Sequence, residues 1–92
     1  MKAVRISTIG GPDVIHVEDV DTPTPGPHEI RVKNAACGVN FIDTYHRTGL
    51  YKIALPSGLG QEGAGAVDAI GEGVTHFKVG DRVAYCSGPI GA

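Results

Sequence analysis

The residues able to do chemistry concentrate between Cys37 and Gly65, in the stretch CGVNFIDTYHRTGLYKIALPSGLGQEGAG. Its first part, Gly38 to Tyr45, mixes amide, carboxylate, hydroxyl and aromatic side chains, and its last part, Gly60 to Val67, is dense in glycine. Metal binding is the first chemistry to weigh, because Cys37, His46, Gln61, Glu62 and Cys86 could approach one another in a small fold. No C-x-x-C, H-x-H or H-E-x-x-H pair accompanies them, and neutral glutamine is a poor zinc ligand, so no metal site is expected. His16, His28 and His76 fall on separate strands or loops and are expected at the surface.

Nucleotide binding is the second. Gly58-Leu59-Gly60-Gln61-Glu62-Gly63 spells G-x-G-x-x-G. That fingerprint works only between a strand and a helix, where the pyrophosphate meets the helix N-terminus. Here Pro56-Ser57 precedes it, the following segment reads as strand, and the nominal downstream acid, Asp81, sits in a predicted turn. The match is rejected in favour of a bulged strand whose small residues admit a neighbouring backbone or a ligand. Nucleophilic catalysis is the third, and no Ser-His-Asp or Cys-His spacing argues for it. Cys37, between Ala36 and Gly38, is expected to be a buried small residue.

Aromatic recognition remains. On a helix from Phe41 to Arg47, Asn40, Asp43, Thr44 and Arg47 share one face and Phe41 and Tyr45 another. One reading is structural: an Asn40 cap, an Asp43–Arg47 surface pair and an aromatic anchor, which periodicity alone favours. The other has Tyr45 and Tyr51 lining a cleft, each ring packing on a flat ligand while its hydroxyl bonds a carbonyl. Composition leaves both readings open.

The elements that must position these residues are mostly short strands. Lys2 to Thr8 alternates imperfectly, with Ala3, Val4 and Ile6 facing inward; Gly10-Gly11-Pro12-Asp13 turns, and Val14 to Val20 returns. Asp21 to Pro27 carries three prolines, lacks their N–H donors and must be a stiff surface connection. Glu29 to Ala36 alternates cleanly, with Ile30 and Val32 on the buried side and Arg31 and Lys33 opposite. Asn40 caps the short helix, Asp43 occupies its third position, His46 and Arg47 suit its C-terminal dipole, and Gly49 ends it. Ala64 to Ile70 is a small-residue strand, Gly71-Glu72-Gly73 a turn, and Gly80-Asp81 a turn leading into a strand to Tyr85.

Composition bounds the whole. Ninety-two residues, 41% hydrophobic and 20% charged, suit a single globular domain or part of one. Fourteen glycines and six prolines imply many turns and few long helices. The net charge of −2 comes with dispersed cations, so a nucleic-acid footprint is not expected. No apolar run reaches the roughly 20 residues that cross a bilayer, which sets aside a membrane helix. Two cysteines make no disulfide framework, and a cytoplasmic setting with free thiols is expected. The chain stops in a glycine-proline turn after a strand and reads as truncated.

Two segments carry a family resemblance. Gly60-Gln61-Glu62-Gly63-Ala64-Gly65-Ala66-Val67 resembles the G-x-E-x-x-G-x-V signature of the medium-chain dehydrogenase/reductase superfamily. Asn40-Phe41-Ile42-Asp43-Thr44-Tyr45, followed by Arg47, Gly49, Leu50 and Tyr51, is similar to the N-F-I-D-T-Y-x-R-x-G-x-Y segment of its zeta-crystallin-like NADPH:quinone oxidoreductases. Gly10 to Val14 and Val79 to Val83 fit the same family in the same order, so the resemblance covers nearly the whole chain.

The resemblance implies a mainly β fold: a GroES-like, partly open β-barrel with one short helix. Residues 1–92 would be the N-terminal part of the catalytic domain, with a Rossmann cofactor domain beyond this chain. In zinc-dependent relatives a cysteine ligand stands at the position of Asn40 and a histidine at that of Gln61, so the resemblance also implies no catalytic zinc; Cys37 lies three residues too early to substitute. It places Asn40, Tyr45 and Tyr51 as catalytic residues, Asn40, Tyr45 and Gln61 against the cofactor, and Asp43 and Glu62 in support. NADPH would be the cofactor, a quinone or similar electron-poor molecule the partner, and a homodimer the state of the intact protein. The isolated chain would not turn over, and its barrel would expose unpaired strand edges. An enoyl or alkenal reductase of the same superfamily, a non-catalytic GroES-like binding module and a zinc alcohol dehydrogenase are the rival readings.

Overall fold

The structure, a computed structural model, describes residues 1–86; the glycine-proline turn read beyond Cys86 lies outside them. Strand β1 (Lys2–Ile6) is the centre of one antiparallel sheet, with β2 (His16–Asp19) on one side and the two-residue β4 (Ser57–Gly58) on the other. Strand β5 (Glu62–Ile70) is the centre of a second, between β3 (Ile30–Cys37) and β6 (Arg82–Cys86). Among the described residues one α-helix of eight residues, α1 (Phe41–Thr48), joins the two sheets in sequence. The mainly β, one-helix fold is the expected one.

Local chemistry sets most boundaries. Pro12 fixes its own φ and leads a 3-10 turn over Pro12–Val14, closed by Val14 N–H to Gly11 O and Ile15 N–H to Pro12 O. The second strand therefore starts at His16, two residues later than its hydrophobic pattern suggests. The proline run is held by Arg31, which donates Nη1 to Pro23 O at 3.1 Å and Nε to Asp68 at 2.7 Å. At the far end, Asp81 closes the Gly80 turn by accepting from Lys78 N–H at 3.1 Å. Gly80 N–H then donates to Val67 O, and Val67 N–H to Asp81 O, which fastens that turn to the middle of β5.

The buried apolar core among the described residues is small: Ala3, Ile6 and Val67. Burying an Ile or Val side chain contributes about 1.5–3 kcal/mol, so this core by itself is modest. Close backbone packing supplements it. The register between β3 and β5 shifts twice, between Arg31 and Val32 and between Asn34 and Ala36. Such bulges break strict alternation. They explain why β3 is not cleanly amphipathic: Arg31 is half-buried along with Ile30 and Val32, and the strand ends exposed. Cys37 is accordingly exposed, which corrects its expected burial. The two sheets leave between them a cleft of about 1460 Å³, in keeping with a barrel that is only partly closed.

Candidate active site

Asn40 stands in extended backbone (φ −125°, ψ 159°) as the N-cap of α1, where its conformation ends β3 and begins the helix. Asp43 reaches back to it as in a capping box: Asn40 N–H donates to Asp43 Oδ2 at 2.9 Å, and the Asp43 N–H donates to the Asn40 backbone carbonyl at 3.0 Å. The Asn40 amide is also tied to β5, donating Nδ2 to Glu62 Oε2 at 3.1 Å. Glu62 can reach it because Gly38 has no side chain. A Cβ there would overlap the Glu62 carboxylate and lie 2.6 Å from its Cγ.

Asp43 is 7% exposed, the buried charged residue among the described ones, and its Oδ1 has no hydrogen-bond partner. The expected Asp43–Arg47 surface pair does not form. Instead Asp43 turns inward and Arg47 donates Nε to Gly10 O at 3.2 Å. Helical periodicity places two residues on one face without saying which way that face is turned. Replacing Asp43 with alanine removes the acceptor of the Asn40 N–H, and a loss of about 1–2 kcal/mol is expected. Asp43→Asn, which keeps an acceptor, should lose less. Thermal melts of the pair check this, and equal melting temperatures would remove the capping bond from the account.

The aromatic residues divide. Tyr45 and Tyr51 meet edge-to-face, ring centres 5.5 Å apart at 77°, and Tyr51 N–H donates to Tyr45 O at 3.3 Å. His46 stands 6.4 Å from the Tyr51 ring. Phe41, the expected partner of Tyr45 in an aromatic anchor, is 82% exposed instead, and Val39 before the helix and Leu50 after it are exposed as well. Gln61 is half-buried at a bend one residue before Glu62. The candidate residues thus fall into two groups on one helix. Asn40, Asp43 and Glu62 surround its N-terminus, while Tyr45 and Tyr51 sit toward its C-terminus. None of these five residues, nor Gln61, lines the large cleft between the sheets, although His46 and Gly60 do.

The G-x-G-x-x-G segment runs from β4 through Gly60, at φ +107°, into β5, so a strand follows it rather than a helix. Gly63 lies under a polar bridge in which Asn34 Nδ2 donates to Tyr85 Oη at 2.9 Å; a Cβ at Gly63 would lie 2.8 Å from that hydroxyl. Sequence reading missed this bridge and the Gly38 recess, because both depend on strand pairing. The glycines themselves were the only local signal.

Residues 26–90 match the alcohol dehydrogenase GroES-like domain family. The chain belongs to that family. The matched stretch takes in the capped helix and strands β3 to β6, which are thus those of a GroES-like domain of the medium-chain dehydrogenase/reductase superfamily. The sequence is 58% identical over 92 residues to a quinone oxidoreductase of Pseudomonas aeruginosa, covering 99% of this chain and 28% of that protein. It is 46% identical over 94 residues to a 2-haloacrylate reductase of a Burkholderia species, covering 98% of this chain and 28% of that protein. In structure it superposes on the Escherichia coli quinone oxidoreductase complexed with NADPH with a TM-score of 0.94 at 46% identity, covering 99% of this chain and 28% of that one. The chain therefore spans about 28% of the length of these relatives.

Zinc is the metal this fold family brings into question, and the donor set here does not fit it. The two positions where the resemblance puts sulfur and imidazole ligands carry the amides Asn40 and Gln61, and the Asn40 amide is engaged by Glu62. Among the described residues no three His, Cys, Asp or Glu side chains group to hold a metal ion. No helix among them is long and apolar enough to cross a membrane.

Proposed function

We propose that this chain is the N-terminal part of the catalytic domain of an NADPH-dependent quinone oxidoreductase that works without a catalytic metal. The observation that carries the reading is the Asn40 amide held against the Glu62 carboxylate, one residue from Gln61 and one helix from the Tyr45–Tyr51 pair. It fixes an amide by a carboxylate at one end of α1, with an aromatic pair toward the other end, hydrogen-bonding and ring surfaces of the kinds that suit a flat, uncharged carbonyl acceptor. The likeness to named quinone oxidoreductases supports it.

In this reading Asn40, Tyr45 and Gln61 hold the cofactor's nicotinamide end, and Tyr45 and Tyr51 orient the acceptor. The nicotinamide, when bound, supplies the hydride; the protein supplies placement and electrostatics. The Asp43 carboxylate, through the cap, fixes the backbone that carries Asn40, and Glu62 fixes its amide. We place the intact protein in the cytoplasm on account of its two free thiols, Cys37 and Cys86, and read it as a homodimer.

A second reading has one observation in its favour. The kinship with a 2-haloacrylate reductase points to a carbon–carbon double bond conjugated to a carboxylate as the acceptor. One experiment separates the two. NADPH oxidation by the full-length enzyme is followed with para-benzoquinone and with 2-chloroacrylate, each in the presence of a metal chelator. Quinone-dependent turnover that survives chelation is expected. Turnover with the acrylate alone would replace the quinone reading with the second one, and loss of activity on chelation would restore zinc.

A further inference from the structure

An eight-residue helix is marginal by itself and takes its stability and direction from what it docks against. The C-terminal end of α1 docks on the loop that follows β1 through a closed pair of bonds. Gly10 N–H donates to Arg47 O at 2.9 Å, and Arg47 Nε–H donates back to Gly10 O at 3.2 Å in a part-buried position. Beside them Gly49 ends the helix in the left-handed region, at φ +86°, and Ile9 fills the space that a side chain at 49 would need. A Cβ there would lie 2.6 Å from Ile9 Cδ1. The chain then folds back, and Tyr51 N–H bonds Tyr45 O, which sets the two rings edge to face.

The helix end that Arg47 pins is therefore the end that carries the tyrosine pair. We infer that Arg47, through the Gly10 clasp, is a positioning residue for the aromatic acceptor site: it sets the Tyr45–Tyr51 geometry without touching the ligand. What the ligand is rests on the quinone reading above. A planar guanidinium suits this task, since its Nε–H points in a fixed direction, whereas a lysine ammonium is a mobile point charge. Either cation satisfies the helix C-terminus electrostatically. Stability and positioning are therefore separable by substitution.

The test uses the full-length enzyme and compares Arg47→Lys with Arg47→Ala. Arg47→Lys should melt close to the unsubstituted protein, yet raise the quinone KM about five- to ten-fold, the range of an aromatic contact, with kcat little changed and a smaller rise in the NADPH KM, since Tyr45 alone of the pair also meets the nicotinamide end. On a Tyr51→Ala background, Arg47→Lys should add nothing further, because the path it acts through is gone. Cross-peaks between the ring protons of Tyr45 and Tyr51 in tyrosine-labelled protein, assigned with Tyr51→Phe, should weaken in Arg47→Lys. Unchanged quinone KM with unchanged cross-peaks would overturn the inference, as would losses that add fully in the double variant. If the unsubstituted enzyme reduces no quinone, the acceptor reading fails, and the cross-peaks still decide whether the clasp sets the pair.

Discussion

Gly65→Ala is expected to disable the second sheet with a single methyl group. Gly65 faces Asn34 on β3 and Val83 on β6, at the place where the β3 register slips. A Cβ at 65 would overlap the Lys33 carbonyl oxygen and lie 2.8 Å from the Lys33 carbonyl carbon and 2.9 Å from Asn34 Cα. These are backbone atoms inside a paired sheet, and no side-chain rotation can move them aside. Overpacking commonly costs 1–3 kcal/mol, and a backbone clash between paired strands belongs at or above the top of that range, about 3 kcal/mol. A fall of roughly 4–5 °C in the melting temperature of the full-length protein should follow, with reduced soluble yield. Gly80→Ala is the matching control. Gly80 has φ +99° but nothing within 4 Å of its missing Cβ, so only the left-handed backbone is penalised, by about 1–2 kcal/mol. A Gly65→Ala protein as stable as Gly80→Ala would show that β3 and β5 can part enough to admit a methyl group.

Gly38→Ala should do the reverse, sparing the fold and injuring the chemistry. The overlap there is with the end of a flexible glutamate side chain, which can swing into solvent at small cost. Stability should change by less than about 1 kcal/mol. The displaced carboxylate no longer meets Asn40 Nδ2, and the amide loses its fixed orientation. Misplacing a group at a reacting centre can lower turnover about 10–100-fold, so a loss of that order is expected in NADPH-dependent quinone reduction by the full-length enzyme. Glu62→Gln, which retains an acceptor for Asn40, should keep most of the activity, while Glu62→Ala should match Gly38→Ala. Normal kinetics in Gly38→Ala would detach Glu62 from the proposed mechanism. The two glycines meet comparable overlaps; whether the obstacle can move decides the outcome.

How far the site can be read from the chain depends on the range of each interaction. The Asn40–Asp43 cap, the Gly49 stop and the Gly80-Asp81 turn rest on bonds between residues three positions apart or on one residue's φ, so residue type alone announces them. The proline run and the small residues of β5 are similarly self-declaring. Exposed Cys37 and Phe41 ran against the reading. Each depends on which way a strand or helix face is turned, and the β3 bulge and the docking of α1 set those directions.

Asp43 shows the division most plainly. Its role at the helix N-terminus follows from its spacing after Asn40. Its burial is not announced by that spacing, and the diversion of Arg47 to Gly10 follows only from the β1 loop packing against the helix, 37 residues away in the chain. Asn40 and Glu62 are separated by 22 residues and meet because Gly38 leaves room for the carboxylate. The sequence by itself determined the family, the mainly β architecture, the helix and its caps, since these are written in residue types and short spacings. Tertiary structure decided which side chains turn inward and which polar groups meet, because those depend on strand register and on the space that neighbouring elements leave.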